Sequence, residues 1–237
     1  MGTEVMAGRD GLPPSWKSVL AVIAHPDDES FGLGAVLDAF IFAGTTVRVL
    51  CLSHGQAWTL DAAPGDLAAL RGAELASAAD VLGPVRVKMR VKPDGALRDV
   101  GEATLAAEVV AATKASHADG LLVFDTAGVS GHLDHVSATS AGLLAAETLN
   151  LPVVGWALPD AVAAQLNREF GVSLVGHGDE DVDLRVTFDR ARQRLASHAD
   201  PASGDLHGAR RRRLELLADS ESLRWLRQPS RAAVGQS

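Results

Sequence analysis

Residues 18–24, SVLAVIA, are apolar at almost every position, and the polar pentapeptide His25-Pro26-Asp27-Asp28-Glu29 follows them at once. An apolar run of this length without alternation is typical of a strand that is buried on both faces, at the centre of a parallel sheet. The polar residues would then lie just beyond the carboxyl end of the strand. This junction predicts both the class of fold and the place where its chemistry lies.

Similar apolar or alternating runs predict four more strands, at residues 47–53, 85–91, 121–125 and 153–158. Segments with helical spacing separate them, at residues 31–43, 66–82, 102–116 and 135–149. Alternation of strands and helices indicates βαβ units, whose helices cover both faces of a sheet. We therefore predict an α/β fold, a Rossmann-like doubly wound and mostly parallel sheet with helices on both faces.

The sequence after residue 160 has a weaker pattern. It predicts an edge strand at residues 182–188, helices at residues 189–198 and 207–226, and pocket-forming loops that include residues 159–180. A chain of 237 residues suits one core of this size. We predict one α/β hydrolase-type domain, residues 17–228, made of a Rossmann-like core (17–160) and a C-terminal extension (161–228), flanked by a flexible arm (1–16) and a loose tail (229–237).

Composition and charge exclude several classes of protein. The net charge of −8 disfavours a nucleic-acid partner, because an acidic chain repels phosphate backbones. The one cysteine, Cys51, lies in an apolar run, so we expect a buried thiol and a reducing compartment. We expect neither a signal peptide nor a membrane span, because we find no apolar stretch of the kind that either requires. We expect a soluble cytoplasmic protein with a small-molecule N-acylated substrate; a homo-oligomer is compatible with the sequence.

The pentapeptide at residues 25–29 carries three carboxylates and an imidazole. Adjacent carboxylates repel each other unless a cation or a proton offsets their charge. Pro26 fixes the backbone, so that His25 and Asp28 could face one point while Asp27 faces another. The alternative is a solvated turn that caps the next helix.

A second polar segment, Gly131-His132-Leu133-Asp134-His135, follows the predicted strand at residues 121–125. Two histidines three residues apart can share one side of a helical turn. In open α/β sheets, binding sites form beyond the carboxyl ends of the strands, where both segments would lie. Together they supply nitrogen and oxygen ligands that suit zinc in an open catalytic site, although sequence alone leaves other metals open.

These two motifs together resemble the PIG-L (LmbE-like) family of zinc-dependent de-N-acetylases. Arg71-Gly72-Ala73-Glu74 and Asp94-Gly95-Ala96-Leu97 resemble two further motifs of that family. The resemblance implies a Zn²⁺ cofactor held by the side chains of His25, Asp28 and His135.

The resemblance also implies roles for the neighbouring residues. Asp27 would be the general base, and His132, oriented by Asp134, would stabilise the tetrahedral intermediate or protonate the leaving amine. Arg71 and Asp94 would contact the sugar-like part of a substrate. The mycothiol-pathway enzyme of the family supplies a tyrosine from the loop in which Ser130 lies here, and this chain has no tyrosine.

Three functions are compatible with the sequence. The first is a zinc-dependent hydrolase of amide bonds that de-N-acetylates a small molecule containing N-acetylglucosamine. The second is an amidase or deacylase of a thiol conjugate or an antibiotic-type substrate. The third is a metal-free module that binds a nucleotide or a sugar, which is disfavoured because the turn after the first strand is acidic and lacks a Gly-x-Gly-x-x-Gly run.

Several other polar or aromatic residues are interpreted as structural. Residues 210–213, four consecutive arginines, are expected on a solvated helix face, with a contact to a membrane surface or another subunit as the alternative. Trp58 and Trp156 are expected to pack in the core or in loops rather than to stack on a sugar. Solvated positions are expected for four histidines, His54, His117, His177 and His207, although His54 follows a strand end and could line the pocket.

Overall fold

The computed structural model describes residues 11–55, 72–73, 76–77, 80–83, 85–187 and 206–228. The strands of this part of the chain are β1 Ser18–Ile23, β2 Thr46–Ser53, β3 Arg86–Lys92, β4 Gly120–Phe124, β5 Val153–Ala157, β6 Leu184–Thr187 and β7 Ser220–Arg227. Its α-helices are α1 Gly34–Phe42, α2 Leu97–Val100, α3 Glu102–Ser116, α4 Leu133–Leu149, α5 Asp160–Phe170 and α6 Leu206–Leu217. A π-helical turn, Asp28–Gly32, precedes α1, and a single 3-10 turn spans Asp179–Asp181.

The seven strands form one sheet in the order β3-β2-β1-β4-β5-β7-β6. The first five in this order are parallel to one another, whereas β7 runs antiparallel to both β5 and β6. The predicted mostly parallel sheet is confirmed. The chain leaves β1 toward β2 on one side and returns to its other side at β4. At such a reversal of strand order, the carboxyl ends of the two strands border a crevice that binds ligands in open α/β sheets.

The predicted cover of helices on both faces is also confirmed. Side chains of β1 alternate between two apolar clusters, with Val19, Ala21 and Ile23 on one face and Leu20 and Val22 on the other. The first cluster contains side chains of α1 and α5, and the second contains side chains of α3 and α4. Every residue of β1 is buried, and each large apolar side chain buried in this way stabilises the fold by about 1.5–3 kcal/mol.

The C-terminal part of the sequence was interpreted less well. The helix predicted over residues 207–226 is wrong beyond Leu217, because β7 occupies Ser220–Arg227. Ala218 ends the helix with a φ of 47°, a left-handed conformation that glycine usually supplies, so no stop signal stood in the sequence. The apolar spacing of Leu223 and Leu226 fits a helix as well as a strand. The sheet decides between them, because β7 pairs with the otherwise open edge of β5.

The structure also tests the predictions made for residues 159–198. The loop expected over residues 159–180 contains α5, whose Ala163 and Leu166 are buried, so that part of the interpretation is wrong. The edge strand expected at residues 182–188 is confirmed as β6. The helix expected at residues 189–198 lies outside the described residues.

The ends of the described chain are tied to the core. Within the predicted arm, the Trp16 ring stacks on Phe40 with 5.7 Å between centroids, and Gly11 N–H donates to the Arg185 carbonyl at 3.2 Å. Residues 1–10 and the predicted tail, residues 229–237, lie outside the description. Cys51 is a buried free thiol, as predicted. Within the described ranges, no helix combines the length and the apolar character needed to cross a membrane.

Candidate active site

The segments that follow β1 and β4 meet at one cavity of about 490 Å³. The predicted site residues that line it are His25, Asp27, Asp28, Asp94, His132 and His135. Asp134 lies directly behind His25, with 3.1 Å between its Oδ2 and the His25 Nε2. Arg71 lies outside the described residues, so its predicted contact with substrate stays a prediction.

The turn after β1 holds Asp27 in a strained conformation, with φ at 105°. The Asp27 carbonyl accepts hydrogen bonds from the backbone N–H groups of Ser30 (3.1 Å) and Phe31 (2.8 Å), and its own N–H donates to Glu29 Oε2 at 3.0 Å. A non-glycine residue stays in such a conformation only where the surrounding contacts fix it, and such residues cluster at functional sites. The turn thus directs Asp27 and Asp28 separately, as the sequence suggested.

Asp28 lies between two imidazoles. Its Oδ1 is 3.3 Å from His135 Nε2, and its Oδ2 is 3.9 Å from His25 Nδ1. The same Oδ2 accepts backbone N–H bonds from Ala24 (3.2 Å) and His25 (3.0 Å). Burial alone would raise the pKa of Asp28, but the charges of His135 and His25 and these hydrogen bonds lower it below its usual range. Asp28 is therefore a buried, ionised carboxylate.

The outward nitrogens of the two imidazoles are held by protein oxygens. His25 Nε2 is 3.0 Å from Asp94 Oδ1 and 3.1 Å from Asp134 Oδ2, and His135 Nδ1 is 3.1 Å from the Gly128 carbonyl. These contacts direct the remaining nitrogen of each ring toward Asp28. Metal-binding histidines typically show this arrangement, with one ring nitrogen on an oxygen and the other on the metal.

The surrounding carboxylates favour a positive charge at this point of the cavity. Burial lowers the pKa of His25, but the hydrogen bond with Asp94 and the charges of Asp28 and Asp94 raise it to about 9. The pKa of His135 is raised as well, because Asp28 outweighs the effect of burial. The same carboxylates would stabilise a divalent cation bound between the two imidazole rings.

The predicted ligands His25, Asp28 and His135 can be compared with two other groups of side chains among the described residues that could hold a metal. Two groups of three side chains have ligand atoms within 4.8 Å of one another, namely His25 with His132 and His135, and His25 with Asp94 and Asp134. The second group is poorly suited to a metal, since Asp134 already accepts backbone N–H bonds at both oxygens, from Gly95 at 2.7 Å and Leu97 at 3.0 Å. The first group shares His25 and His135 with the predicted ligands and has His132 in the place of Asp28, and either set of ligands fits zinc.

His132 lies beside these rings, with its centroid 5.0 Å from that of His25 and 5.1 Å from that of His135. It occupies the N-cap of α4, where its Nδ1 accepts the backbone N–H of Asp134 at 3.2 Å. Burial lowers the pKa of His132, and the positive charges of His135 and His25 lower it further. This direction disfavours the protonated imidazole that either of the roles expected for His132 requires.

The carboxylates of Asp94 and Asp134 both face His25. Asp134 was expected to orient His132, but its side chain contacts His25, and its contact with His132 is made by the backbone N–H. The Asp94 side chain is only 3 % exposed and lies against the same imidazole. The structure thus gives Asp94 a partner within the protein, while its predicted contact with substrate stays untested.

Sequence reasoning missed a buried pair behind the β4 loop, Asp125 and His177. Asp125 Oδ1 accepts the backbone N–H groups of Ala127 (2.9 Å) and Val129 (3.1 Å), and its Oδ2 is hydrogen-bonded to His177 Nε2. The His177 side chain is 13 % exposed, so its interpretation as solvated is wrong. Its partner lies 52 residues away in the sequence, and no local pattern connects the two.

The loop that this pair supports passes very close to His135. Gly128 has a φ of 64°, and a Cβ at its position would lie 2.8 Å from the Cβ of His135. Only glycine satisfies both conditions without strain. The loop can therefore bring the Gly128 carbonyl to the His135 ring.

Sequence reasoning also missed two arginines of α6. Arg210 Nη1 donates to Asp27 Oδ2 at 2.9 Å, and its guanidinium lies 4.7 Å from the Phe31 ring centroid. Arg213 lies 5.0 Å from the Trp156 ring centroid, and both arginines line the cavity. The solvated-face interpretation is wrong for these two. A signal existed, since 210, 213, 214 and 217 share a helical face that carries the buried Leu214 and Leu217.

Trp156 itself is only 1 % exposed and packs in the core, as expected. Its indole N–H donates to Glu221 Oε2 at 2.7 Å, and an edge of the ring borders the cavity. Trp58 lies outside the described residues.

Comparison with known sequences identifies the family of the segment that carries the predicted site residues. The sequence profile of the family described as PIG-L: GlcNAc-PI de-N-acetylase matches residues 20–146, which is more than half of the chain. This chain belongs to the PIG-L family. The matched span runs from β1 into α4 and includes every predicted site residue.

Curated relatives match over part of their length. A probable N-acetylglucosaminyl-phosphatidylinositol de-N-acetylase of Schizosaccharomyces pombe is 32 % identical over 143 residues, 56 % of this chain and 53 % of that protein. A 1D-myo-inositol 2-acetamido-2-deoxy-alpha-D-glucopyranoside deacetylase of Rhodococcus erythropolis is 30 % identical over 206 residues, 72 % of this chain and 69 % of that protein. This PIG-L chain thus spans about half of the length of the first relative and about two thirds of the second.

Solved structures share the fold. GalB, the 4-carboxy-2-hydroxymuconate hydratase of Pseudomonas putida, aligns with a TM-score of 0.69 and 13 % identity, over 92 % of this chain and all of that one. A deacetylase of teicoplanin biosynthesis aligns with a TM-score of 0.67 and 19 % identity, over 91 % of this chain and all of that one. At such identities the likeness concerns the fold alone, and one PIG-L-like fold evidently serves a hydratase as well as a deacetylase.

Proposed function

We propose that this PIG-L chain is a zinc-dependent hydrolase of amide bonds that removes the acetyl group from a small molecule containing N-acetylglucosamine. One observation carries the proposal. The inward nitrogens of His25 and His135 face the ionised Asp28 while protein oxygens hold their outward nitrogens, and Asp27 lies on the same turn. Family membership and the printed activities of the curated relatives support the choice of an acetylated amino sugar.

The proposed roles follow from the positions of the side chains. His25, Asp28 and His135 would hold zinc, which when bound polarises the amide carbonyl and lowers the pKa of water toward ~7. Asp27 accepts the proton of the attacking water as general base. The guanidinium of Arg210, 2.9 Å from Asp27 Oδ2, fixes the direction of that carboxylate.

His132 supplies the proton that the leaving amine needs. Its lowered pKa makes it a stronger acid once it is protonated, and its N-cap position holds the ring against those of His25 and His135. The oxygen of water bonds to the carbonyl carbon as its proton passes to Asp27. The carbon–nitrogen bond breaks as a protonated His132 gives its proton to the amine, and the proton held by Asp27 is then released to reprotonate His132 through solvent. The products are acetate and a free amino sugar.

The alternative is a deacylase of a larger acyl group, such as that of a thiol conjugate or an antibiotic-type substrate. A cavity of about 490 Å³ is larger than an acetyl group requires, and a structure named as a teicoplanin deacetylase shares the fold. The cytoplasmic location and a homo-oligomeric state remain predictions from sequence.

A hydrolysis screen tests the proposal. Zinc-loaded protein is incubated with N-acetylated sugars, inositol glycosides of N-acetylglucosamine and N-acylated thiol conjugates, and the free amine is measured. We expect release of amine from an acetylated amino sugar, and loss of that release after chelation. Faster hydrolysis of long acyl chains would favour the alternative, and no amine from any substrate at full zinc occupancy would contradict amide hydrolysis.

A further inference from the structure

Val129, in the loop after β4, has a backbone conformation that is rare for a β-branched residue. Its φ is 63°, in the left-handed region, and the preceding Gly128 has a φ of 64°. Glycine and asparagine adopt this region readily, whereas for a branched side chain such as valine it is an outlier. Residues of this kind persist only where surrounding contacts fix them, and they cluster at sites that bind or transform ligands.

Hydrogen bonds at both backbone groups hold Val129 in this conformation. Its N–H donates to Asp125 Oδ1 at 3.1 Å, and its carbonyl accepts the N–H of Val175 at 2.7 Å. Asp125 is itself bonded to His177, and Val175 belongs to the segment that follows α5. The fold thus fixes the backbone of Val129 from two directions, and its side chain is the part that can meet a ligand.

The Val129 side chain belongs to an apolar end of the cavity, which we define by Phe124, Val129 and Trp156. These residues line the cavity, share one apolar cluster and are 3 %, 4 % and 1 % exposed. The Phe124 ring centroid lies 4.7 Å from that of His135, and the indole N–H of Trp156 is already donated to Glu221. A sugar hydroxyl buried at this end would find no partner among these side chains, which disfavours its burial there.

His135 has an exposed polar neighbour as well as this buried apolar one. The ring of His132 lies 5.1 Å from that of His135 and is exposed to solvent. In the proposed reaction His132 gives its proton to the leaving amine, so the sugar that carries the amine lies on the solvent side. The acyl group then points to the apolar end, where its methyl group leaves water while the sugar hydroxyls remain hydrated.

We propose that Val129 is a specificity-determining residue whose side chain closes the apolar end and restricts the acyl group to acetyl. The proposal rests on the proposed function for the place of the scissile amide, and it deepens that function by naming a residue that limits the length of the acyl chain. Glycine at this turn position would relieve the backbone strain. It would also leave to a longer acyl chain the space that the branched side chain fills.

The test changes the size of this side chain in both directions. Val129→Ala removes two methyl groups and Val129→Ile adds one, and kcat/KM is measured for the methyl glycosides of N-acetylglucosamine and N-butyrylglucosamine. We expect Val129→Ala to raise the butyryl-to-acetyl ratio of kcat/KM by about 10-fold or more, since one methylene in an apolar pocket changes specificity by about 10- to 200-fold. Val129→Ile should lower the ratio. Val123→Ala, which removes the same atoms from the apolar cluster on the other face of the sheet, should leave the ratio unchanged.

A purely structural role for Val129 would give a different result. Both substitutions would then lower the free energy of unfolding without moving the ratio in opposite directions. Hydrolysis of the acetyl substrate with an unchanged ratio in Val129→Ala and Val129→Ile, or an equal rise in Val123→Ala, would overturn the role of Val129 and leave the proposed function intact.

A binding measurement needs no hydrolysis and so separates this proposal from the proposed function. Zinc-loaded native protein and Val129→Ala are titrated in a calorimeter with acetohydroxamate and butyrohydroxamate, whose alkyl groups stand in for the acyl chain. A shift of preference toward butyrohydroxamate in Val129→Ala would support the acyl site even if no acetamide is hydrolysed. The same preference in both proteins, or no binding of either compound, would overturn it.

Discussion

Two regions of the molecule provide most of the cavity lining, and they are built in different ways. The reactive rim, residues 25–32 and 125–135, carries the proposed zinc ligands and the proposed acid and base. The C-terminal wall, residues 160–178 and 206–227, carries Arg210, Arg213 and His177. The PIG-L profile covers the rim entirely and ends before the wall begins. The profile therefore covers the proposed chemistry and leaves out the wall.

The contacts within the two regions also differ in range. Asp28 is bound by the backbone N–H of His25, three residues away, and Gly128 contacts His135 at a separation of seven residues. Arg210 reaches Asp27 across 183 residues of sequence. Each segment of the rim is therefore shaped by a short motif, whereas the meeting of its two segments and the contact between wall and rim depend on the complete fold.

The largest effect on zinc binding and hydrolysis is expected when a proposed zinc ligand of the rim is removed. In His135→Ala we expect zinc affinity to fall by more than the 10- to 100-fold that loss of an outer hydrogen-bond partner costs, because a direct ligand is removed. Hydrolysis should fall to background with it. Metal analysis of the dialysed protein measures the change, with His117→Asn, an exposed histidine, as the control. Full zinc occupancy in His135→Ala would contradict the ligand assignment.

Removal of the base should separate chemistry from metal binding within the rim. Asp27→Asn keeps the size of the side chain and its reach to Arg210, so the fold and the zinc content should not change. The value of kcat should fall by about 10²- to 10⁴-fold, the usual contribution of general acid–base catalysis. Asp99→Asn, at a position 75 % exposed, is the matched control. Equal rates for the two variants would exclude Asp27 as the base.

The raised pKa of His25 predicts that zinc affinity increases with pH, whereas the stability of the zinc-free protein decreases. Zinc needs the neutral imidazole, so its apparent affinity should rise about tenfold per pH unit from 7 until the pKa of His25, about 9, and then level off. A raised pKa stabilises the zinc-free fold below about 6.5, and this contribution is lost as the pH rises through 9. Chelator competition and urea unfolding of zinc-free protein measure the two trends. A zinc affinity that does not vary between pH 7 and 9 would refute the assignment to His25.

The smallest effect is expected where the wall supports the rim. His177→Gln removes the imidazole N–H that the buried Asp125 carboxylate accepts, which should lower the free energy of unfolding by about 1.5–3 kcal/mol. Zinc affinity should fall by roughly tenfold at most, since the variant reaches His135 only through the Gly128 loop. Arg185→Gln, which breaks an exposed pair with Asp179, should cost less than about 1 kcal/mol. If both variants have the same stability, the pair does not support the loop.

The sequence predicted the parallel core and the rim because both depend on local patterns. The first strand was placed to within one residue, and α3 was placed at both ends, since continuous apolar runs and helical spacing are read directly from neighbouring residues. The same holds for the pentapeptide at residues 25–29, where mutual repulsion of adjacent carboxylates already indicated a cation.

The wall could not be predicted in the same way. The left-handed turn at Ala218 has no glycine to mark it, and β7 is a strand because β5 offers an open edge, which no local window of sequence contains. The role of Asp134 was misassigned for a related reason. Asp134 stands between two histidines in the sequence, which suggested that its carboxylate contacts His132. The fold instead brings this carboxylate to His25, 109 residues away.

The position of β7 between β5 and β6 has a consequence for synthesis of the chain. Leu184–Thr187 leaves the ribosome before Ser220–Arg227, yet its strand partner in the sheet is β7, apart from a single bridge with Gly11. The last described strand must therefore insert between two strands made earlier. Until it does, the apolar edge of β5 stays open to pairing with other chains, so nascent or C-terminally truncated protein is the form most exposed to aggregation.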